Sequence, residues 1–198
     1  MKKLILIVIL VMFSMNLMSC NNQHEAFFKG QCLYIDNEKY IPSVGVYEET
    51  NTVLCKMKND YTIYEVDGDT GHNYVVVRSF LDEQLYVKEN YTKDKTAIDG
   101  IYIGQSEKKY ISDKEFIDIF EVMMASDEKV EIKNECLASY RKDGIDISIK
   151  YHNDCVGEYC GSILYDGVRY IYYNHLEEKT ILINEELISK LETFIVLK

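Results

Sequence analysis

Residues 61–80, YTIYEVDGDTGHNYVVVRSF, place a glycine-rich turn between two runs of aromatic and β-branched residues. Such side chains favour pleated strands, and Gly, Asn and Asp favour turns, so the stretch predicts a β-hairpin. The run CLYIDNEKYI at 32–41 predicts another hairpin around Asp36-Asn37-Glu38, and EQLYVKE at 83–89 adds a further alternating run. The N-terminal half is therefore predicted to be antiparallel and β-rich, either a small sheet or a partly open barrel.

Two helices are predicted in the C-terminal half, over about 113–125 and 185–195. The first follows a capping-box pattern, with Ser112 as the cap and Glu115 reaching back to it. Asn184 is the expected cap of the second helix. Apolar residues recur at helical spacing in both segments: Phe116, Ile119, Phe120, Met123 and Met124 in the first, and Leu187, Ile188, Leu191 and Ile195 in the second.

Further strands are predicted at 130–132, 145–151 and 181–183, and ILYDGVRYIYY at 163–173 predicts a hairpin with Asp166-Gly167 in a type I′ turn. The fold class is therefore α+β, with a β-rich front and two helices behind. Residues 27–198 are expected to form a single domain, and the stretch near 92–96 is the one candidate for a soft boundary.

The N-terminus has the pattern of an export signal. Lys2 and Lys3 precede an apolar run over 4–13, and residues 14–19 lead to Cys20. A membrane-spanning helix needs about 20 apolar residues, and this run is about half that length before Ser14 and Asn16. The segment is therefore expected to direct export rather than to remain as a transmembrane anchor.

Leu17-Met18-Ser19-Cys20 resembles the lipobox of bacterial lipoproteins. The resemblance, which covers residues 1–20, implies removal of the signal peptide 1–19 and attachment of diacylglycerol to Cys20. Residues 20–26 would then be a lipidated tether, and the domain would lie outside the cytoplasm on a bacterial cell membrane or outer membrane. An ordinary secretory signal that happens to place Cys20 near its cleavage site is the alternative.

The chain is acidic, with 22 basic and 33 acidic residues. Removal of residues 1–19 takes Lys2 and Lys3 away and leaves 20 basic and 33 acidic residues, a net charge of −13. Nucleic-acid binding depends on the neutralisation of phosphates by Lys and Arg, so nucleic acid is not an expected partner. The acyl chains, rather than a basic patch, are expected to hold the protein at the membrane.

Five cysteines remain besides Cys20, and an odd number leaves at least one thiol unpaired within the chain. Because exported proteins occupy oxidising compartments, a disulfide between Cys155 and Cys160 is predicted, with inert thiols as the alternative. The pairing of the other three, Cys32, Cys55 and Cys136, is left open.

A zinc site could draw on His152, Cys155, Cys160 and His175, but their spacing matches no standard zinc motif, so no metal is predicted. Asp69-Thr70-Gly71 matches the tripeptide of aspartic proteases, whose mechanism needs two such carboxylates, and the chain has one copy. Asp67 and Asp69 imitate the start of a calcium loop, but Arg78 occupies the position of its bidentate glutamate.

No catalytic residue and no cofactor is predicted, since the chain also lacks the serine-hydrolase, metalloprotease, phosphate-loop and dinucleotide motifs. The predicted function is a non-enzymatic, membrane-tethered module that binds a protein or small molecule of the envelope. One alternative is an envelope hydrolase that uses the segment His152 to Cys160, with a cysteine nucleophile and a histidine base. The other is an inhibitor or immunity lipoprotein that blocks a basic toxin or lytic enzyme.

Overall fold

The computed structural model describes residues 24–105, 107–126, 129–131, 144–175 and 177–197. Within these ranges the chain forms two antiparallel sheets, one of them curled into a half-barrel, together with two helices. The predicted α+β class, its β-rich N-terminal half and both helices are therefore confirmed. The signal segment, Cys20 and Cys136 lie outside the described residues.

The first sheet contains seven strands in the order β1-β2-β3-β8-β7-β6-β5, and every neighbouring pair is antiparallel. Its strands are β1 (Ala26–Lys29), β2 (Cys32–Ile35), β3 (Glu38–Ser43), β5 (Glu49–Lys56), β6 (Thr62–Val66), β7 (Tyr74–Arg78) and β8 (Glu83–Lys88). The sheet thus uses most of the chain between residues 26 and 88.

Both hairpins predicted in this half are present. Asp36 and Asn37 have φ angles of 50° and 70° between β2 and β3, as a two-residue type I′ turn requires. The turn over 67–73 joins β6 to β7, which pair with Thr62 opposite Arg78. Strand β1 begins at Ala26, the last residue of the predicted tether, and His24 hydrogen-bonds to the Asp36 carboxylate.

The second sheet also contains seven strands, in the order β10-β9-β11-β12-β13-β14, with β4 pairing to β12. Its strands are β4 (Gly45–Val46), β9 (Ile98–Gly104), β10 (Lys109–Ile111), β11 (Ile145–Tyr151), β12 (Gly157–Tyr165), β13 (Tyr170–Asn174) and β14 (Lys179–Leu182). Helices α1 (Lys114–Met124) and α2 (Glu185–Phe194) share an apolar core with this sheet. Neither helix of the described segments has the length and hydropathy needed to cross a bilayer.

The cap of α1 differs from the sequence prediction. Asp113, not Ser112, is the N-cap, and its Oδ1 accepts a hydrogen bond from the backbone N–H of Phe116 at 2.8 Å. Both residues are good caps, and the helix starts one residue later because the aspartate then reaches the N3 amide. The cap of α2 is confirmed, since Asn184 Oδ1 accepts from the N–H of Leu187 at 2.8 Å.

Two local predictions in the C-terminal half were wrong. The hairpin between β12 and β13 has a four-residue loop, 166–169, rather than a type I′ turn, because Tyr165 pairs with Tyr170. The Asp166 carboxylate accepts the N–H groups of Val168 and Arg169, and these bonds close the longer loop. Val130 is not in a strand, although its N–H donates to Thr180 O on β14 at 3.1 Å; Ile132 lies outside the described residues.

Strand β4 joins the two sheets. It lies between β3 and β5 in the sequence but pairs with β12 of the other sheet, Val46 opposite Gly157. A Cβ on Gly45 would lie 2.5 Å from Val156 Cγ1 and 2.8 Å from Gly157 O, so the approach depends on glycine. The connection 89–97 between the sheets contains the stretch named above as a soft boundary.

Candidate functional site between the two sheets

A cleft of about 560 Å³ opens where the two sheets meet, and we call it the inter-sheet cleft. The turn between β6 and β7 contributes residues 67–71, and the loop between β11 and β12 contributes residues 153–155. Tyr91 and Tyr102 also line it. The structure thus brings together two polar segments that are far apart in the sequence, VDGDTGHNY at 66–74 and YHNDCVGEYCG at 151–161.

Asp69 organises the β6–β7 side of the cleft. The residue is 9% exposed, and its Oδ1 accepts hydrogen bonds from the Gly71 N–H at 3.3 Å and from Asn73 Nδ2 at 3.2 Å. Its Oδ2 accepts the backbone N–H of Tyr74. Because three donors already occupy its oxygens, Asp69 holds the turn together and is not available as half of a catalytic pair.

Asp154 organises the opposite side. Its Oδ1 accepts the Val156 N–H at 3.2 Å, and its Oδ2 lies 3.2 Å from Lys93 Nζ. The side chain of Asp154 is 2% exposed and that of Lys93 is 16% exposed, so this ion pair is largely withdrawn from water. Lys93 also donates to Val156 O at 3.3 Å, which ties the connecting segment to the β11–β12 loop.

Tyr74 links the two carboxylates. Its backbone N–H donates to Asp69 Oδ2 and its hydroxyl donates to Asp154 Oδ2 at 3.2 Å. Burial raises the pKa of the Tyr74 hydroxyl well above its usual value, and the neighbouring Asp154 carboxylate adds to the effect. The phenol therefore stays protonated and acts as a permanent donor between the sheets.

Acidic side chains outnumber basic ones in the lining of the cleft, which contains Glu48, Asp67, Asp69 and Asp154 and one lysine, Lys150. Burial, assisted by Asp154, Cys155 and Asp69, raises the pKa of Tyr91 to about 12. Burial also raises the pKa of Tyr102, with Glu48 as the largest charged contributor. Carboxylates from both sheets thus act on the same space, which suits neutral or positively charged groups better than anions.

Cys155 lies at this cleft as a free thiol. Burial raises its pKa to about 12, with Asp69 and Asp154 acting in the same direction. A Cβ on Gly68 would lie 3.9 Å from the Cβ of Cys155, so the turn of the first sheet packs directly over it. Because nucleophilic attack requires the thiolate, these surroundings oppose a catalytic role.

Cys160 is also a free thiol but belongs to a different cluster. It is buried in the core beneath the helices, where its Sγ donates to Ile147 O at 3.4 Å and burial raises its pKa to about 12. Cys155 instead packs against the cluster around Tyr74 and Val156. A bond between the two sulfurs would require both to leave these positions, and the disulfide stays a prediction.

The two candidate histidines are occupied elsewhere. His152 is exposed, and its Nδ1 lies 2.9 Å from Asp99 Oδ1. The ring of His175 packs against Tyr159 and Tyr173, with centroids 5.1 and 4.6 Å apart, and burial lowers its pKa. Neither lines the inter-sheet cleft. Across the described ranges, no group of three or more His, Cys, Asp or Glu side chains has an arrangement that could hold a metal ion.

Tyr74, Lys93 and Glu48 were not identified as site residues from the sequence. Tyr74 occupies an apolar strand run, and its hydroxyl meets a carboxylate 80 residues further along the chain. Periodicity reports which face of a strand is buried, but it carries no signal for a contact at that separation. Comparison of the chain with protein-family models, with curated proteins and with solved structures gave no match.

Proposed function

We propose that this chain is a lipid-anchored protein of a bacterial envelope and that its domain is a non-enzymatic binding module. The anchoring half of the proposal is supported by the residues before the domain, an export signal that ends in the lipobox-like Leu17-Met18-Ser19-Cys20. A diacylglyceryl cysteine carries two acyl chains, which is the number of signals that stable anchoring requires.

The inter-sheet cleft carries the binding half of the proposal. It is a preformed opening whose polar groups are already held in place by the bonds around Asp69, Tyr74 and Asp154. Binding sites are commonly concave and largely preformed, and they lie where structural units meet. The ligand would lie between the two sheets and contact Tyr91, Tyr102 and the turn over 67–71.

The hydrolase alternative has less support. A cysteine nucleophile needs a lowered pKa or an adjacent base, whereas the pKa of Cys155 is raised to about 12 and His152 is engaged with Asp99. The inhibitor alternative rests on the net charge of −13, which follows from 20 basic and 33 acidic residues after residue 19. Such a charge favours encounter with a basic partner, and a steep loss of binding to that partner with added salt would be the signature of an inhibitor.

Fractionation of cells that express the protein tests the anchor. The wild-type protein should remain with the membranes in high salt and be released by detergent, and Cys32→Ser, a matched cysteine substitution, should behave in the same way. Cys20→Ser should be found either as the uncleaved precursor or in soluble form. A Cys20→Ser protein that is processed and held like the wild type would contradict lipid anchoring.

Ligand screening tests the cleft. The domain should show a raised unfolding temperature with one class in a panel of amines, sugars and short peptides, since a ligand that binds only the folded state stabilises it. The shift should disappear in Tyr102→Ala, which removes an aromatic side chain that lines the cleft, and persist in Tyr165→Ala, at a half-exposed position on β12. A shift that survives Tyr102→Ala would place the ligand elsewhere.

A further inference from the structure

An exposed aromatic pair lies on the outer face of the first hairpin. Phe27 on β1 and Tyr34 on β2 are directly opposite each other, and their rings stack with centroids 5.2 Å apart and an interplanar angle of 4°. Phe27 is 49% exposed although it belongs to a regular strand. The neighbouring Phe28 points the other way and packs against Tyr61 and Tyr86 in the core of the half-barrel.

Two lysines share this face with the aromatic pair. Lys29 is two residues beyond Phe27 on β1 and is exposed, and Lys39 is opposite Tyr34 on β3. Alternate residues of a strand, and residues directly opposite on neighbouring strands, project from the same side of a sheet. Lys39 is paired with Glu89, whereas Lys29 extends into solvent. We call Phe27, Lys29, Tyr34 and Lys39 the outer-face patch.

The outer-face patch is close in sequence to the proposed lipid. Six residues, 21–26, separate Cys20 from Phe27, so the seven Cα–Cα steps between them span at most about 25 Å. A domain held by so short a connection stays at the bilayer surface. Its first hairpin is the part that the anchor keeps nearest to the lipid.

We propose that the outer-face patch rests on the surface of the membrane that holds the Cys20 anchor, and thereby orients the domain on the bilayer. The inference depends on the lipidation proposed above. Aromatic rings with a polar tip favour the interface between lipid and water, and lysine side chains can bury their stems there while the charged ends remain at the headgroups. The patch supplies this combination on a domain whose net charge is otherwise unfavourable to anionic lipid.

A second exposed apolar site is predicted to stay in water when the outer-face patch contacts lipid. Phe80 and Leu81 at the tip of the β7–β8 hairpin are 98% and 88% exposed. Strand β7 is four positions from β1 in the sheet order, roughly 19 Å away along the curled surface. When the outer-face patch contacts lipid, this tip remains in water, so Phe80 provides a matched apolar control.

Tryptophan fluorescence tests the orientation, because the chain contains no Trp and each substitution therefore creates a single reporter. Lipidated Phe27→Trp and Phe80→Trp proteins are reconstituted into phosphatidylethanolamine–phosphatidylglycerol vesicles, with and without brominated acyl chains. Phe27→Trp should emit at shorter wavelength than the same variant without lipid and should be quenched by the brominated lipid. Phe80→Trp should show neither effect. Absence of quenching at position 27, or equal quenching at position 80, would overturn the proposal.

The same samples separate this proposal from the one on which it rests. Intact mass reports whether Cys20 carries lipid, and circular dichroism reports whether each variant has kept its sheets. A lipidated and folded Phe27→Trp protein that is not quenched refutes the orientation alone. An unmodified Cys20 in protein taken from membranes refutes the anchor itself.

Discussion

The hydroxyl of Tyr74, on the first sheet, donates to Asp154 Oδ2, on the second sheet, at 3.2 Å. The same tyrosine donates its backbone N–H to Asp69, so one residue joins the carboxylates on the two sides of the cleft. Tyr74 is 1% exposed and Asp154 is 6% exposed. The relation between the sheets therefore depends in part on a buried hydrogen bond to a charged group.

Loss of this bond should destabilise the protein. Tyr74→Phe keeps the ring and removes only the hydroxyl, and a hydrogen bond to a charged group contributes about 1.5–3 kcal/mol. Because Lys93 would still pair with Asp154, we expect a loss near the lower end of that range, measured by urea unfolding. Tyr91→Phe is the control, since no described residue accepts a hydrogen bond from that hydroxyl. Equal effects of the two substitutions would contradict the bridging role of Tyr74.

The contact between β4 and β12 should not tolerate a side chain at residue 45. In Gly45→Ala the new methyl would meet Val156 Cγ1 at 2.5 Å and the Gly157 carbonyl at 2.8 Å, and such overpacking costs about 1–3 kcal/mol. The nearest atom to a Cβ at Gly71 is the end of the Asn73 side chain, which can move. The midpoint temperature of thermal unfolding should thus decrease more in Gly45→Ala than in Gly71→Ala. The reverse order would contradict the close packing of β4 on β12.

The first helix cap can be tested against its neighbour. Asp113→Ala removes the acceptor for the Phe116 amide and should cost about 1 kcal/mol, whereas Ser112→Ala should have little effect. Urea unfolding of the two variants measures the difference. A larger effect at Ser112 would restore the capping box predicted from the sequence.

His175 should contribute to loss of stability in mild acid. Burial lowers its pKa below the ordinary 6.5, so near pH 6 the unfolded chain binds a proton more readily than the folded one. Stability should be unaffected by this group above pH 6.5 and should fall as the pH decreases from there toward the lowered pKa. The decrease in urea midpoint between about pH 7.5 and 5.5 should be smaller in His175→Gln than in the wild type. A His175→Gln protein that kept the full wild-type decrease would refute the assignment.

Cys155 should react slowly in the folded protein. With a pKa of about 12, little of its thiol is ionised at neutral pH, and only the thiolate is alkylated. Labelling by iodoacetamide, located by peptide mapping, should be slow in the native state and fast in concentrated urea. Rapid native labelling would restore the cysteine nucleophile. Recovery of a Cys155–Cys160 disulfide from the same map would show that the two thiols leave the positions described here.

Local features of the fold could be predicted from the sequence, and contacts across the chain could not. The hairpin at Asp36-Asn37 and the cap at Asn184 depend on residues within a few positions of each other, so composition and spacing were sufficient. The loop 166–169 was mispredicted because Asp166-Gly167 suits two turn types, and the amides of Val168 and Arg169 select the longer one. This error concerned one turn and did not change the fold.

The cleft is formed by contacts between residues that are far apart in the chain. It depends on the pairing of Val46 with Gly157 and on the bond between Tyr74 and Asp154, which join residues 111 and 80 positions apart. A single sequence has no periodic signal for such contacts. The residues at the cleft could be recognised as polar turns, but their convergence required the three-dimensional structure.

The modification state of Cys20 is the most direct test of the proposed function. Intact-mass and peptide measurements on protein extracted from membranes with detergent should find a chain that begins at Cys20 and carries diacylglycerol on its sulfur. An unmodified Cys20 in the membrane form, or a mature chain cut elsewhere than between Ser19 and Cys20, would contradict the lipoprotein assignment.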